Sequence, residues 1–565
     1  MKPGLYKNGI FLLFIFIFSY NTASSIARAE DFYSPGNPNE LAAKLLAGMS
    51  DEEALAQTFM LGWVGADPSP AIMDWIQKRR IGGIKIFGWN TEDTYRLANT
   101  VGQLQKAALT SEKKIPLLVA TDQEGGWIRH VKGLTSETPG NMAIGASGIP
   151  RDAYMAGYYI GRELAALGIN MNFAPSVDLF TNQQSVLIGP RAFSDDPVAA
   201  GILGIAFAKG QEKAGIIPTA KHYPGHGDTE LDSHGVLPEI FIPFATLWNR
   251  ELLPYRMLSK EGIPAIMTGH LAFPLTKGGN EPASISPWFI TTILRDTIGF
   301  TGLVITDDLL MNGVTTSAGS LSRAAQKALE AGNDIIMMSK TPNLSDPVWN
   351  NLLEAMKRDP KFRSRVRDAA RRILILKLDY LRRSAAPPLY PQTDEIKKRI
   401  PDPQGKAFFL DLAARSVTLV SGTNPAPLNP TQAGKVLLAS PFEDFLTIGL
   451  RAYPDAQRFK YPYSDASSQT DKINFMSMAK SADTIIFCLA NSYGVDLLQS
   501  IRYSGKKIIV ISALSPVHLQ RVPWSSSSIA VYSYSQESFI ATFSALLGRI
   551  PMQGRLPFAL KGNTR

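Results

Sequence analysis

The chain has 565 residues, 45% apolar and 19% charged, with a formal net charge of +9. That is an ordinary soluble composition, long enough for two domains or for one large domain and a smaller one. The positive charge is scattered rather than gathered into a Lys/Arg stripe, and there is a single cysteine, so neither nucleic acid as a partner nor a disulfide framework is expected.

Residues 1–29 stand apart. Lys2 and Lys7 precede an apolar run over 9–20, and small residues follow, ending in Ala27-Arg28-Ala29. This pattern reads as a secretory signal cleaved near Ala29. A dozen or so apolar residues fall short of the roughly 20 that cross a bilayer. Cleavage removes Lys2, Lys7 and Arg28, taking the charge from +9 to +6. The mature chain is expected outside the cytoplasm, periplasmic or secreted, with no stable membrane insertion. Cys488 sits in the apolar run "TIIFCLA" and reads as a buried strand residue.

Eight short apolar runs read as strands: 58–65, 84–87, 117–121, 170–174, 217–221, 265–268, 303–306 and 335–339. Between them lie amphipathic stretches. Over 91–107, Leu97, Val101 and Leu104 share a face; over 320–329, Leu321, Ala325 and Ala328 do. Ser50-x-x-Glu53 has the form of a capping box. Eight β/α units in about 340 residues point to a parallel (β/α)8 barrel, because each strand needs a crossover helix and closure removes both sheet edges. An open doubly wound sheet is the alternative. The barrel expects chemistry where strands end, and four runs lead directly into polar groups: 117–121 into Asp122, 217–221 into His222, 265–268 into Gly269-His270, and 303–306 into Asp307-Asp308.

The pattern stops after Leu381. A Pro-rich, charged stretch reads as a linker over 385–404, separating a barrel over 30–384 from a smaller α/β unit over 405–565. In that unit 416–420, 435–439, 484–489, 507–512 and 529–534 read as strands. There is no internal repeat.

The densest chemistry lies in "KHYPGHGDTELDSH", 221–234, which holds three of the six histidines. A metal site could use His222, His226 and His234, but the two-histidine zinc motif works by placing i and i+4 on one helix face, and Pro224, Gly225 and Gly227 break any helix between His222 and His226. A loop whose polar side chains satisfy its own backbone is the plain alternative. The catalytic reading rests on Asp232-Ser233-His234. In an extended segment residues i and i+2 point the same way, so Asp232 can hydrogen-bond His234, fix its tautomer and favour its protonated form. Such a histidine can give a proton and take one back. Asp307 is placed to attack or to stabilise a cation. Asp308 is its rival, since neighbours on a strand point to opposite faces.

The stretch "KHYPGHGDTELDSH" resembles the K-H-[FY]-P-G-H-G-x4-D-S-H signature of the β-N-acetylglucosaminidases of glycoside hydrolase family 3. "VITDDLLM" resembles that family's nucleophile segment, and "TDQEGG", "PGNMAIGA" and "IGPRAFSDDP" match further segments. The resemblance covers residues 40–380 and extends more loosely to the end, implying a barrel followed by a C-terminal α/β sandwich domain. By position it implies Asp307 as nucleophile and His234, paired with Asp232, as general acid/base. Asp122, Lys221, His222 and Arg191 would bind the sugar. The family places an arginine eight residues after the first aspartate; here His130 stands there and Arg129 precedes it, so Arg129 is the expected substitute.

The reaction implied is retaining hydrolysis through a covalent glycosyl-enzyme, with no metal and no other cofactor. The implied partner is a saccharide with terminal N-acetylglucosamine on muropeptides, chitin fragments or glycans. Alternatives are a family 3 β-glucosidase or xylosidase, phosphorolysis in place of hydrolysis, and a non-catalytic wall-binding protein. The oligomeric state has no signature in the sequence.

Overall fold

The computed structural model describes residues 1, 4, 30–185, 187–229, 236–464 and 468–560. The proposed leader over 1–29, apart from Met1 and Gly4, and the segment holding Asp232 and His234 lie outside the described residues. No helix among those described is long and apolar enough to cross a membrane.

Eight strands close into a parallel barrel: β1 Phe59–Gly62, β2 Gly83–Ile86, β3 Leu118–Thr121, β4 Met171–Asn172, β5 Ile217–Tyr223, β6 Ala265–Thr268, β7 Leu303–Asp308 and β8 Ile335–Met338. Each pairs with its sequence neighbours, and β1 closes on β8 with Phe59 opposite Ile336. All eight fall on the expected runs. The two amphipathic stretches form helices Thr94–Ala108 and Leu321–Ala331. Ser50 and Glu53 form the expected capping box at the start of helix Asp51–Gln57.

The strands bury alternate residues on two sides. Met60, Leu118, Ala120, Met171, Phe173, Ile217, Ala265, Met267, Leu303, Ile305, Ile335 and Met337 pack inside, and helix Pro360–Tyr380 plugs the amino-terminal end with Ile373, Leu376 and Tyr380. The partners pointing outward, such as Leu61, Ile84, Val119 and Ile336, pack under the helices. Strand β4 is only two residues long. Two buried asparagines supply the missing ladder bonds to the β3 side: Asn170 bonds Val119 N and Leu117 O at 2.8 and 3.0 Å, and Asn172 bonds Gln123 N and Gln123 O at 2.9 Å each.

The second domain is a six-stranded sheet of β9 Thr418–Gly422, β10 Val436–Ser440, β11 Gln457–Lys460, β12 Thr484–Leu489, β13 Lys507–Ser512 and β14 Ser527–Ala530, in the order β9-β14-β13-β12-β10-β11. Only β9 is antiparallel. Cys488 lies buried in β12, where desolvation pushes its thiol up to about 12. Strand β11 carries no apolar run: of Gln457, Arg458, Phe459 and Lys460 only Phe459 is buried. It forms because it can add to the edge of β10. The stretch 385–404 is more ordered than a linker. It contains helix Thr393–Arg399, and Asp402 both caps helix Pro403–Ser416 and donates its N–H to Glu163 of the barrel at 2.8 Å.

The domains share a small core in which Met142, Phe180 and Ile188 meet Ala530, Tyr532 and Phe558. Arg415 grips Asp152 through two hydrogen bonds of 3.1 and 2.8 Å, and Ser194 donates to Pro557 O at 2.6 Å. The second domain therefore rests on the side of the barrel that carries the β3 and β4 loops.

At the start of β8 the fully buried Asp334 accepts from Arg295, Arg365 and Arg372 at 2.6, 2.8 and 3.2 Å and from Val304 N at 3.0 Å. Removing this carboxylate leaves three guanidinium groups facing one another. Asp334→Ala is expected to cost about 3–5 kcal/mol of stability in urea unfolding; a loss below about 1 kcal/mol would show that the cluster is not a structural anchor.

Candidate active site

The carboxyl ends of β2, β3, β5 and β7 bring Lys85, Asp122, Glu124, Lys221, His222 and Asp307 to one rim, and the loops after β4 add Asp178 and Arg191. Asp122 sits between two ammonium groups, Lys85 at 2.6 Å and Lys221 at 2.5 Å. Lys221 also reaches Glu124 at 2.6 Å, and Glu124 takes two bonds from Arg191 at 2.9 and 2.7 Å. Arg191 continues to His222 Nε2 at 3.2 Å, and His222 Nδ1 lies 2.6 Å from Asp178. A guanidinium only donates, so Nε2 of His222 accepts and Nδ1–H points at Asp178. Asp178 also accepts from the backbone N–H of His222 at 3.2 Å and of His226 at 2.7 Å.

This chain of contacts sets the protonation states. Burial alone would raise the Asp122 carboxyl, but Lys221 and Lys85 outweigh it and hold it well below its ordinary value. Burial likewise opposes ionisation of Glu124, yet Arg191 and Lys221 bring it down to about 2. Desolvation, reinforced by the Lys221 charge, leaves Lys85 below the usual lysine value in spite of Asp122. Burial pulls His130 down to about 4, with Lys85 adding to the effect.

Asp307 and Asp308 part company here. Asp308 accepts from Leu310 N and Ser339 N, both at 3.0 Å, and so fastens the β7 turn to the end of β8. Asp307 is half-buried, and among the described residues its carboxylate makes no ion pair and accepts only the N–H of Asp308, at 2.7 Å. Burial pushes its carboxyl up, but His222, His270, that N–H and Lys221 together hold it below the ordinary value. It is an ionised carboxylate whose lone pairs are largely uncommitted, at the edge of a site where the other carboxylates are tied down.

Of the residues singled out in the sequence, Asp122, Lys221, His222, Arg191 and Asp307 converge at this rim. Arg129 does not join the Asp122 cluster: it turns to Glu137 at 3.5 Å and to Thr135 O at 3.2 Å. His130 stands at that place, with Nδ1 3.3 Å from Lys85 Nζ and 3.6 Å from Asp122. The cause is the short hairpin of Gln123–Gly125 with Ile128–Arg129, which alternates side chains and sends neighbours 129 and 130 opposite ways.

Asp232 and His234 lie outside the described residues, but both flanks of their segment are fixed. On one side a Cβ at Gly227 would overlap the Leu179 carbonyl oxygen, so only glycine permits the approach, and Arg250 ties Asp228 to Glu251 at 2.6 and 2.7 Å. On the other, Val236 and Leu237 pack against Gly313, at the start of helix Asn312–Ala318 just after β7. The two anchors are thus the β4 loop and the β7 end, which also carry Asp178 and Asp307.

Lys85, Glu124 and Asp178 were not singled out from the sequence. A lysine inside the apolar strand run "GIKIF" is a usable signal; Asp178, six residues past β4, gives none. Among the described residues no three of His, Cys, Asp and Glu converge as a metal site.

A closed parallel barrel that gathers fixed carboxylates, ammonium groups and an oriented imidazole at its carboxyl rim has the (β/α)8 architecture, in which active sites lie at that end. Residues 52–376 match the Glycosyl hydrolase family 3 N terminal domain, more than half of the sequence, and the chain belongs to glycosyl hydrolase family 3. It is 35% identical over 286 residues to Beta-hexosaminidase A of Pseudoalteromonas piscicida, a match that takes in 48% of this chain and 47% of that protein, so the matched part is about half the length of that relative. It is 36% identical over 273 residues to Beta-hexosaminidase of Neisseria meningitidis serogroup A, covering 47% of this chain and 73% of that one. Among solved structures, a glycoside hydrolase family 3 beta-N-acetylglucosaminidase from Paenibacillus sp. str. FPU-7 superposes with a TM-score of 0.82 at 27% identity, over 91% of this chain and 99% of that one. A beta-glucoside phosphorylase, at a TM-score of 0.77 and 22% identity, shares the fold.

Two stability measurements read this site. A carboxyl lowered from its unfolded value near 4.5 to about 2 contributes stability that is full above about pH 4.5 and is lost as pH falls toward 2. Glu124→Gln should therefore flatten the fall of unfolding free energy across that window, with a remainder left by Asp122 and Asp178; an unchanged slope would contradict the Arg191–Glu124–Lys221 cluster. Asp308→Ala, which strands two backbone N–H groups, should cost about 1–3 kcal/mol, whereas Asp307→Asn should unfold close to the parent chain.

Proposed function

We propose that this chain is an exo-acting, retaining β-N-acetylglucosaminidase that releases terminal N-acetylglucosamine. The observation that carries the reading is the contrast at the end of β7: Asp308 is consumed by backbone bonds, while the neighbouring ionised Asp307, near Lys221 and His222, accepts only one backbone N–H among the described residues.

In this reading the fixed groups of the rim hold the sugar. Asp122 accepts from hydroxyls, Arg191 and Lys221 donate to them, and His222 is kept in one orientation by Asp178. These groups are already tied to each other, so little reorganisation accompanies binding. A carboxylate oxygen of Asp307 attacks the anomeric carbon as the bond to the leaving oxygen breaks, and His234, held by Asp232, gives that oxygen its proton. Water then attacks the same carbon; His234 takes the water's proton, the bond to Asp307 breaks, and the product keeps its β configuration. Assignment of His234 and Asp232 rests on the D-S-H signature, and the fixed flanks of their segment at the β4 loop and the β7 end support it. The hexosaminidase relatives support N-acetylglucosamine as the sugar. Muropeptides, chitin fragments and other glycans are the proposed substrates, and the leader over 1–29 supports action outside the cytoplasm.

Incubation with an activated fluoro-N-acetylglucosaminide, followed by peptide mapping, should place the sugar on Asp307. A label on Asp308, or rapid turnover with no covalent species under any trapping condition, would overturn the nucleophile assignment. His234→Ala should lower kcat by about 10²–10⁴ on substrates with poor leaving groups and far less on activated aryl glycosides. Equal losses on both would remove His234 as the acid.

A further inference from the structure

We infer that Trp89 is a stacking platform for the leaving-group sugar, the ring that stays outside the pocket when the terminal unit is bound. The inference rests on the reading of this chain as an exo-glycosidase and adds the residue that recognises the second sugar.

The indole lies just past the carboxyl end of β2, in the short turn Gly88–Asn90, and is 45% exposed. It is nevertheless fixed. Its Nε1 donates to Trp63 O at 2.7 Å, and one ring face stacks on Phe87 with centroids 4.6 Å apart and planes 11° from parallel. The turn itself is pinned by Asn90, which accepts from Phe87 N at 2.8 Å and donates to Trp63 O and Gly65 O at 3.1 and 2.6 Å. Thr91 joins it to the hairpin beside Asp122 by donating to His130 O at 2.7 Å. An exposed aromatic whose polar group is satisfied and whose other face is packed loses little conformational freedom on binding.

The platform also continues into the site. Lys85 Nζ lies 4.2 Å from the centroid of the Phe87 ring and 2.6 Å from Asp122. An ammonium group and an indole cannot both occupy one face of a phenyl ring at these distances, so Phe87 separates Lys85 from Trp89. The ring fits there because residue 62 is glycine; a Cβ would fall 2.8 Å from Phe87 Cε2. Asp122, Lys85, Phe87 and Trp89 thus run in sequence from the charged pocket to an apolar ring at the surface. A pyranose presents axial C–H groups on one face, which suit the electron-rich face of an indole. In an exo-acting site one sugar fills the pocket, and the sugar beyond it is the one that departs.

The test compares two substrates that differ only outside the pocket. N,N′-diacetylchitobiose has a sugar leaving group; the β-fluoride of N-acetylglucosamine has none. Trp89→Ala should raise KM and lower kcat/KM for diacetylchitobiose at least tenfold while changing kcat/KM for the fluoride less than twofold, and Trp89→Phe should restore most of the loss. Equal effects on both substrates, or none on either, would overturn the platform. If the parent chain turns over neither substrate, the glucosaminidase reading fails by itself, and the platform is judged by binding. Indole fluorescence is then followed during titration with diacetylchitobiose, cellobiose and xylobiose; a saturable change lost in Trp89→Phe supports the platform, and no Trp89-dependent change with any of them removes it.

Discussion

The site is organised around one buried ammonium group. Lys221 stands between Asp122 and Glu124, both within 2.6 Å, and each carboxylate holds a second cation, Lys85 on one side and Arg191 on the other. A buried ion pair gains little over an apolar replacement, whereas removal of one partner is costly. Such a cluster persists where its orientation matters more than its contribution to stability. Here it locks four elements of the rim, β2, β3, the β4 loop and β5, into one arrangement of donors and acceptors. Asp178 extends the lock through His222. Asp307 alone among these carboxylates is left with lone pairs to spare among the described residues.

That arrangement also accounts for the division of labour between the barrel's two ends. The amino-terminal end is closed by apolar side chains of helix Pro360–Tyr380 and braced by Asp334 with its three arginines. The carboxyl end holds the charges that a folded core alone would not need. The second domain leans on the β3 and β4 loops: Arg415 holds Asp152 on the helix between those strands, and Pro557 and Phe558 hold the β4 loop that delivers Arg191.

Much of this was legible in the sequence because barrel strands buried on both faces read as unbroken apolar runs, and all eight stood out. The elements that escaped notice had physical reasons to do so. Strand β11 buries one side chain in four, and the 385–404 stretch gains its order from Glu163, far away in the chain. In the site, spacing alone could not separate Asp307 from Asp308; the family resemblance favours Asp307, and among the described residues the two carboxylates differ in what they accept. Lys85 looked like strand, and Asp178 like loop, because their roles depend on Asp122 and His222 arriving from other strands. The choice between Arg129 and His130 turned on the direction of a two-residue hairpin strand. The roles of Asp232 and His234 continue to rest on their signature.

The most direct measurement is a crystal structure of the Asp307→Asn variant with diacetylchitobiose bound. The account predicts the anomeric carbon about 3–3.5 Å from the side chain at position 307, the near-attack range, with the terminal sugar's hydroxyls bonded to Asp122, Lys221, Arg191 and His222. A terminal sugar held away from position 307, or one whose hydroxyls ignore the Lys221 cluster, would contradict it.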